Sequence, residues 1–144
     1  MKLTITISAG VVAAILGYLL WPVGQKTSAL DHVASAEAAP LARVSLPDNL
    51  SQNAQIGKIG FEAKCANCHG ANAGGNDAIA PPLIHKIYEP SHHADESFQR
   101  AVSLGVQAHH WPFGNMPAIE GLTRGDVTMI ITYIRELQRA NGIN

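Results

Sequence analysis

Cys65-Ala66-Asn67-Cys68-His69 places two thiols and an imidazole within five residues, and the reading of this stretch decides the fold. The spacing is that of covalent haem attachment. Each thiol can add across a vinyl group of a porphyrin, and one helical turn carrying the pair leaves the next side chain, His69, beneath the iron as proximal ligand. A redox dithiol would instead sit at the end of a strand in a βαβ pattern, and no alternation of strands and helices follows the motif. A structural zinc takes four ligands at regular spacing, and these are the only two cysteines of the chain. Cys65 and Cys68 therefore read as the anchors of one covalently bound haem c.

At 144 residues the chain is long enough for one folded domain, and ten Lys plus Arg against eleven Asp plus Glu leave it nearly neutral. Such a balance offers no basic patch for nucleic acid. Aromatic residues make up 6% of the chain, so the core is small and a buried apolar cofactor would stand in for missing side chains. Without haem the domain is expected to fold poorly.

From Leu3 to Trp21 the sequence is apolar or small and uncharged, behind Lys2 alone. Nineteen residues at about 1.5 Å rise nearly match a bilayer's hydrocarbon thickness, which favours an uncleaved anchor over 1–23. A cleaved signal is the alternative, with small-residue sites at Thr27-Ser28-Ala29 and Ala34-Ser35-Ala36. In either case Lys2 stays on the cytoplasmic side and the remainder is exported. Residues 24–49, rich in Ala and Ser with Pro40 and Pro47 but without a sustained period, read as a flexible linker. Its reach would be about 25 to 30 Å.

Residues 50–144 carry helical patterns only. Ser51 is a suitable N-cap for a helix bearing Ile56, Ile59, Phe61 and Ala63 and ending near Cys65. Gly57 and Gly60 leave bare backbone on it where another helix can approach closely. The partner is the last helix, Thr123 to Ala140, with its stripe Val127, Ile130, Ile131, Ile134 and Leu137. Asp126 near its start and Arg135 and Arg139 near its end suit the helix dipole. A third helix is expected between Ser91 and Val106, stopping at Gly105.

Between these helices lie two loops with chemical potential. After His69, a stretch rich in Gly and Asn leads to Ala80-Pro81-Pro82-Leu83. A carbonyl of the double proline is free to accept the Nδ1 proton of His69 and so fix which nitrogen binds iron, although Pro-Pro alone also reads as a plain loop corner. The second loop, His109 to Pro117, cannot be helical through its prolines and carries Met116. Its thioether is an adequate iron ligand, and a lone Met also packs as ordinary core.

Taken in order, Gly57 and Phe61, Cys65-Ala66-Asn67-Cys68-His69-Gly70, Pro81-Pro82-Leu83, Gly114-Asn115-Met116-Pro117 and Tyr133 resemble the bacterial class I c-type cytochromes, single-haem proteins that are membrane-anchored or periplasmic. The resemblance implies an all-α fold of three to five helices around one covalent haem, here preceded by a transmembrane or signal helix. It implies that Pro81 takes the His69 proton, that Leu83 packs against haem, that Tyr133 and Gly57 meet where the first and last helices cross, and that Met116 is the distal ligand. It also implies electron transfer with no substrate chemistry, so the chain is not expected to be an enzyme.

The chain departs from that pattern in its histidines. His85, His92, His93, His109 and His110 crowd between the two expected ligands, and imidazole binds haem iron more strongly than thioether. Met116 remains the expected distal ligand, with His109 and His110 as competitors. A surface metal site built from His92, His93, His109 and His110 is a further possibility, against solvated side chains as the plainer expectation. The function expected is transfer of single electrons between respiratory or periplasmic redox enzymes, by a domain held at the periplasmic face of the inner membrane. Alternatives are a fixed cytochrome subunit of a membrane or dehydrogenase complex, a haem-based sensor of gases or small ligands, and a soluble periplasmic form.

Overall fold

The computed structural model describes residues 40–144. The expected anchor, 1–23, and the linker up to residue 39 lie outside the described residues. Among the described residues there are four α-helices and no β-strand: α1 (Gln52–Lys64), α2 (Ala66–His69), α3 (Asp95–Leu104) and α4 (Arg124–Ala140). Short 3₁₀ turns occupy Ala71–Ala73 and Lys86–Tyr88. None of the described helices is long and apolar enough to cross a membrane.

The crossing of α1 over α4 is the frame on which everything else hangs. Ser51 caps α1 by accepting the Ala54 N–H at 3.2 Å, and Glu136 of α4 accepts from the Ser51 hydroxyl at 2.6 Å, so the cap also ties the two helices together. At the other partner, Thr123 and Asp126 form a reciprocal capping box that starts α4. Gly57 lies directly against the Met129–Ile130 backbone: a Cβ added there would come within 1.8 Å of the Met129 carbonyl oxygen. One turn further along each helix, Phe61 packs on Tyr133 with ring centroids 5.7 Å apart. Gly57 and Tyr133 thus both lie where the two helices cross, Gly57 admitting the backbone of α4 and Tyr133 packing on Phe61.

This geometry gives a sharp expected result. Gly57→Ala must push the helices apart, and overpacking of this kind costs about 3 kcal/mol or more, seen as a lowered denaturant midpoint of the haem-loaded protein with an unchanged slope. Gly60→Ala should cost less, because its added Cβ would meet the Ile130 side chain at 3.1 Å, and a side chain can turn away. Equal losses at the two glycines would contradict the packing described.

The core-facing stripe of α4 is buried as expected, at Val127, Ile130, Ile131, Ile134 and Leu137. On α1 the pattern of large apolar residues misleads: Ile56 and Ile59 are 53% and 69% exposed, Ala63 is exposed, and the buried face is Ala54, Gly57 and Phe61. Small residues occupy the crossing because the helices approach too closely for branched side chains. The third helix begins at Asp95 rather than Ser91, since residues 89–93 form turns whose His92 and His93 N–H groups both bond to the Glu89 carbonyl.

The end of the expected linker is not free chain. Ala42 donates to the Gly74 carbonyl at 2.8 Å, Val44 packs against the core, and Asn141 bonds both the N–H and the carbonyl of Ser45 at 2.8 Å. Docked structure therefore reaches back to Ala42, earlier than the boundary at residue 49 read from composition. Nothing periodic marks these residues, because they are held by backbone and by a partner about a hundred positions away.

Candidate haem site

The Cys65–His69 stretch ends α1 and forms α2. Cys65 accepts the His69 N–H at 2.9 Å, so the motif is a single tight helical turn that stops at Gly70, whose φ of +72° only glycine adopts freely. Both thiols are free, Cys65 half-buried and Cys68 exposed. Burial, helped by the neighbouring Cys68, pushes the Cys65 thiol up to about 11. A redox-active dithiol has its attacking thiol shifted the opposite way.

His69 is buried, and its Nδ1 lies 2.9 Å from the Pro81 carbonyl oxygen. A carbonyl only accepts, so Nδ1 carries the proton and the Nε2 lone pair is left free. Burial also holds this imidazole below the ordinary histidine value, against the opposing effect of the Pro81 bond, which keeps it neutral and able to ligate a metal. The loop that brings Pro81 into place is fastened at its base: Leu83 donates to the Ala73 carbonyl at 2.9 Å, and Gly75 to that of His69 at 2.7 Å.

His69, Cys65, Cys68, Pro81, Leu83 and Met116 all line one cavity of about 700 Å³. That size lies within the roughly 300–1,000 Å³ usual for cofactor pockets. Its walls are apolar, with Phe98 and Val102 from α3 and Val127 and Ile131 from α4. Met116 enters from a loop clamped on both sides: it exchanges two backbone hydrogen bonds with Val106, at 2.9 and 3.0 Å, and Ile119 donates to the Val102 carbonyl at 2.8 Å. Gly105 makes the clamp possible, since at its φ of +76° a Cβ would lie 2.5 Å from the Met116 carbonyl oxygen. Val106, grouped with the third helix in the sequence, belongs to this clamp.

The residues present fit a haem. Two thiols, a neutral imidazole with a free Nε2 and a thioether reach one apolar cavity from three separate parts of the chain. The Trp111 indole N–H on the wall is buried without a hydrogen bond, a donor that a haem carboxylate would satisfy. It lies near enough to the Tyr88 phenol to moderate the upward push that burial gives that group, yet without hydrogen-bond geometry.

Arg135 has a larger part than its dipole role suggested. Its side chain is 7% exposed and donates to Asp95 at 2.9 Å, to the Tyr88 carbonyl at 2.7 Å, to Gln138 at 2.6 Å and to the His93 carbonyl at 2.5 Å, while stacking over Phe98 at 5.0 Å. Gln138, fully buried, adds bonds to the Leu83 and Tyr88 carbonyls. Together they fix the 83–93 segment, one wall of the cavity, to α4. The five histidines divide in two: His85 caps the 86–88 turn beside Trp111, while His92, His93, His109 and His110 gather together, the last three lining the cavity. Within this group His110 is held below the ordinary histidine value, first by desolvation and then by its three imidazole neighbours.

An all-helical domain whose Cys-x-x-Cys-His turn opens on such a cavity defines a protein built to hold covalent haem. The family model for cytochrome c matches residues 54–138, more than half of the chain, and the chain belongs to that family as a class I c-type cytochrome. Its cofactor is covalently attached haem c, and it is a haem electron-transfer protein. No curated protein matches the chain.

Proposed function

We propose that Cys65 and Cys68 carry the haem, that His69 Nε2 and the Met116 thioether are its axial ligands, and that the domain passes single electrons between respiratory or periplasmic redox enzymes. Bound haem supplies one-electron chemistry at iron. The chain's own residues surround it with a mainly apolar lining, fix the proton of His69 at Nδ1 through Pro81, and hold Met116 by its paired bonds to Val106. The single observation that carries the reading is that His69, with a free Nε2, shares one apolar cavity with a backbone-clamped Met116.

A clamped sixth ligand suits a carrier, because the coordination need not change with each electron. It suits a gas sensor poorly, since a sensor must release that ligand. From Leu50 onward seven Lys plus Arg face eight Asp plus Glu, so long-range steering is weak and docking relies on apolar contact near the haem edge. The uncharged run from Leu3 to Trp21 supports an anchor in a bacterial inner membrane, with the domain on the periplasmic side.

One preparation tests both parts. Haem-bearing protein taken from native membranes should retain residues 1–23 on N-terminal sequencing, and once reduced at neutral pH it should not bind carbon monoxide rapidly. A soluble protein beginning near Leu30 or Glu37 would replace the anchor by a cleaved signal, and a fast carbon monoxide adduct would replace the carrier by a ligand-binding module.

A further inference from the structure

We propose that His92, His93 and His110 form a binding site for one divalent transition-metal ion that prefers imidazole donors, zinc(II) or copper(II), separate from the haem iron. One ligand nitrogen from each of the three lies within 4.8 Å of the others. On a tetrahedral zinc, nitrogens at about 2.0–2.1 Å from the metal stand about 3.4 Å apart. Closing that gap takes small side-chain rotations of His92 and His110, both exposed and free to make them.

Adjacent histidines ordinarily point apart, and a chance cluster would be loosely held. Here the third member is built in. His93 is half-buried, its Nδ1 donates to the Ile87 carbonyl at 2.6 Å, its ring lies 5.1 Å from that of Tyr88, and its own carbonyl is held by Arg135. A ring N–H committed to a backbone carbonyl, with Nε2 left open, is the arrangement that orients metal-ligating histidines. The turn at residues 89–93 brings the rings of His92 and His93 to 4.7 Å. The facing loop is set by the Ala108 N–H on Asn115 at 2.9 Å, and it places His110 at 5.6 and 5.3 Å from those two rings.

The three donors are neutral nitrogens, which favours borderline ions over magnesium or calcium, and copper(II) should exceed zinc(II) in affinity. An ion held there would join the turn at residues 89–93 to the loop that carries Met116. The site needs His110 free of the iron, and so rests on the proposed ligation by Met116.

Titration calorimetry of the ferric, haem-loaded full chain with zinc chloride, a redox-inert probe, tests the proposal. One zinc per chain is expected, with affinity lowered at least about tenfold in His92→Gln and again in His110→Gln, both exposed positions where glutamine leaves the fold and the haem spectrum intact. His93→Gln should lose binding as well, and His85→Gln, outside the cluster, should keep it. No zinc uptake by the wild type, or equal loss from His85→Gln, would overturn the site.

Discussion

Denaturing electrophoresis of the Cys65→Ala/Cys68→Ala variant should show a polypeptide without haem, whereas the wild type carries its haem through the gel and through acid-acetone extraction. The reason is covalent: two thioether bonds survive unfolding, and no coordinate bond to His69 does. The effect should extend to the fold. A cavity of about 700 Å³ is bounded by residues from α1, α3 and α4 and by the Met116 loop, so whatever fills it joins most elements of the domain. Without haem the apolar lining of this cavity would face water, a loss of burial that a typical net stability of about 5–15 kcal/mol cannot easily absorb. The double variant should therefore lose cooperative thermal unfolding and much of its helical circular dichroism. Haem extracted from the wild type by acid acetone would defeat the covalent reading, and a double variant as stable as the wild type would show that the helices carry the fold without it.

How far the sequence alone led depended on the range of each interaction. The Ser51 cap, the close approach at Gly57 and the stripe from Val127 to Leu137 are written in short spacings, and each sits where the spacing placed it. The Cys65–His69 turn is local too, and the Pro81 carbonyl implied by resemblance is at hydrogen-bond distance from His69. On α1 hydrophobic periodicity found Phe61 but not the rest of the buried face, because Ala54 and Gly57 are small and the large Ile56 and Ile59 are exposed. Arg135 could not be fully read, since two of its four acceptors are backbone carbonyls 47 and 42 positions away, and a carbonyl has no letter in a sequence. The histidine cluster was visible as composition, but its convergence depends on two loops meeting. The same holds for the Val106–Met116 clamp, which looked like the tail of a helix.

That clamp underlies the second large effect, at the iron itself. Met116→His should keep the haem six-coordinate while lowering its reduction potential by on the order of 0.1 V, within the ~0.8 V range that axial ligands span, because a stronger nitrogen donor favours the ferric state. His109→Gln with His110→Gln should leave the potential and the spectrum nearly unchanged. The Nδ1 of His109 is tied to the Gln107 carbonyl at 2.8 Å, and the loop between Pro112 and Pro117 resists the slide of several residues that would deliver either imidazole in place of Met116. The most direct measurement is the near-infrared spectrum of the oxidised wild-type protein, where a sulfur ligand produces a weak sulfur-to-iron charge-transfer band. The band should be present, absent in Met116→His and retained when His109 and His110 are both glutamine; a wild type without the band, whose double-glutamine variant loses its low-spin spectrum, would place a histidine on the iron.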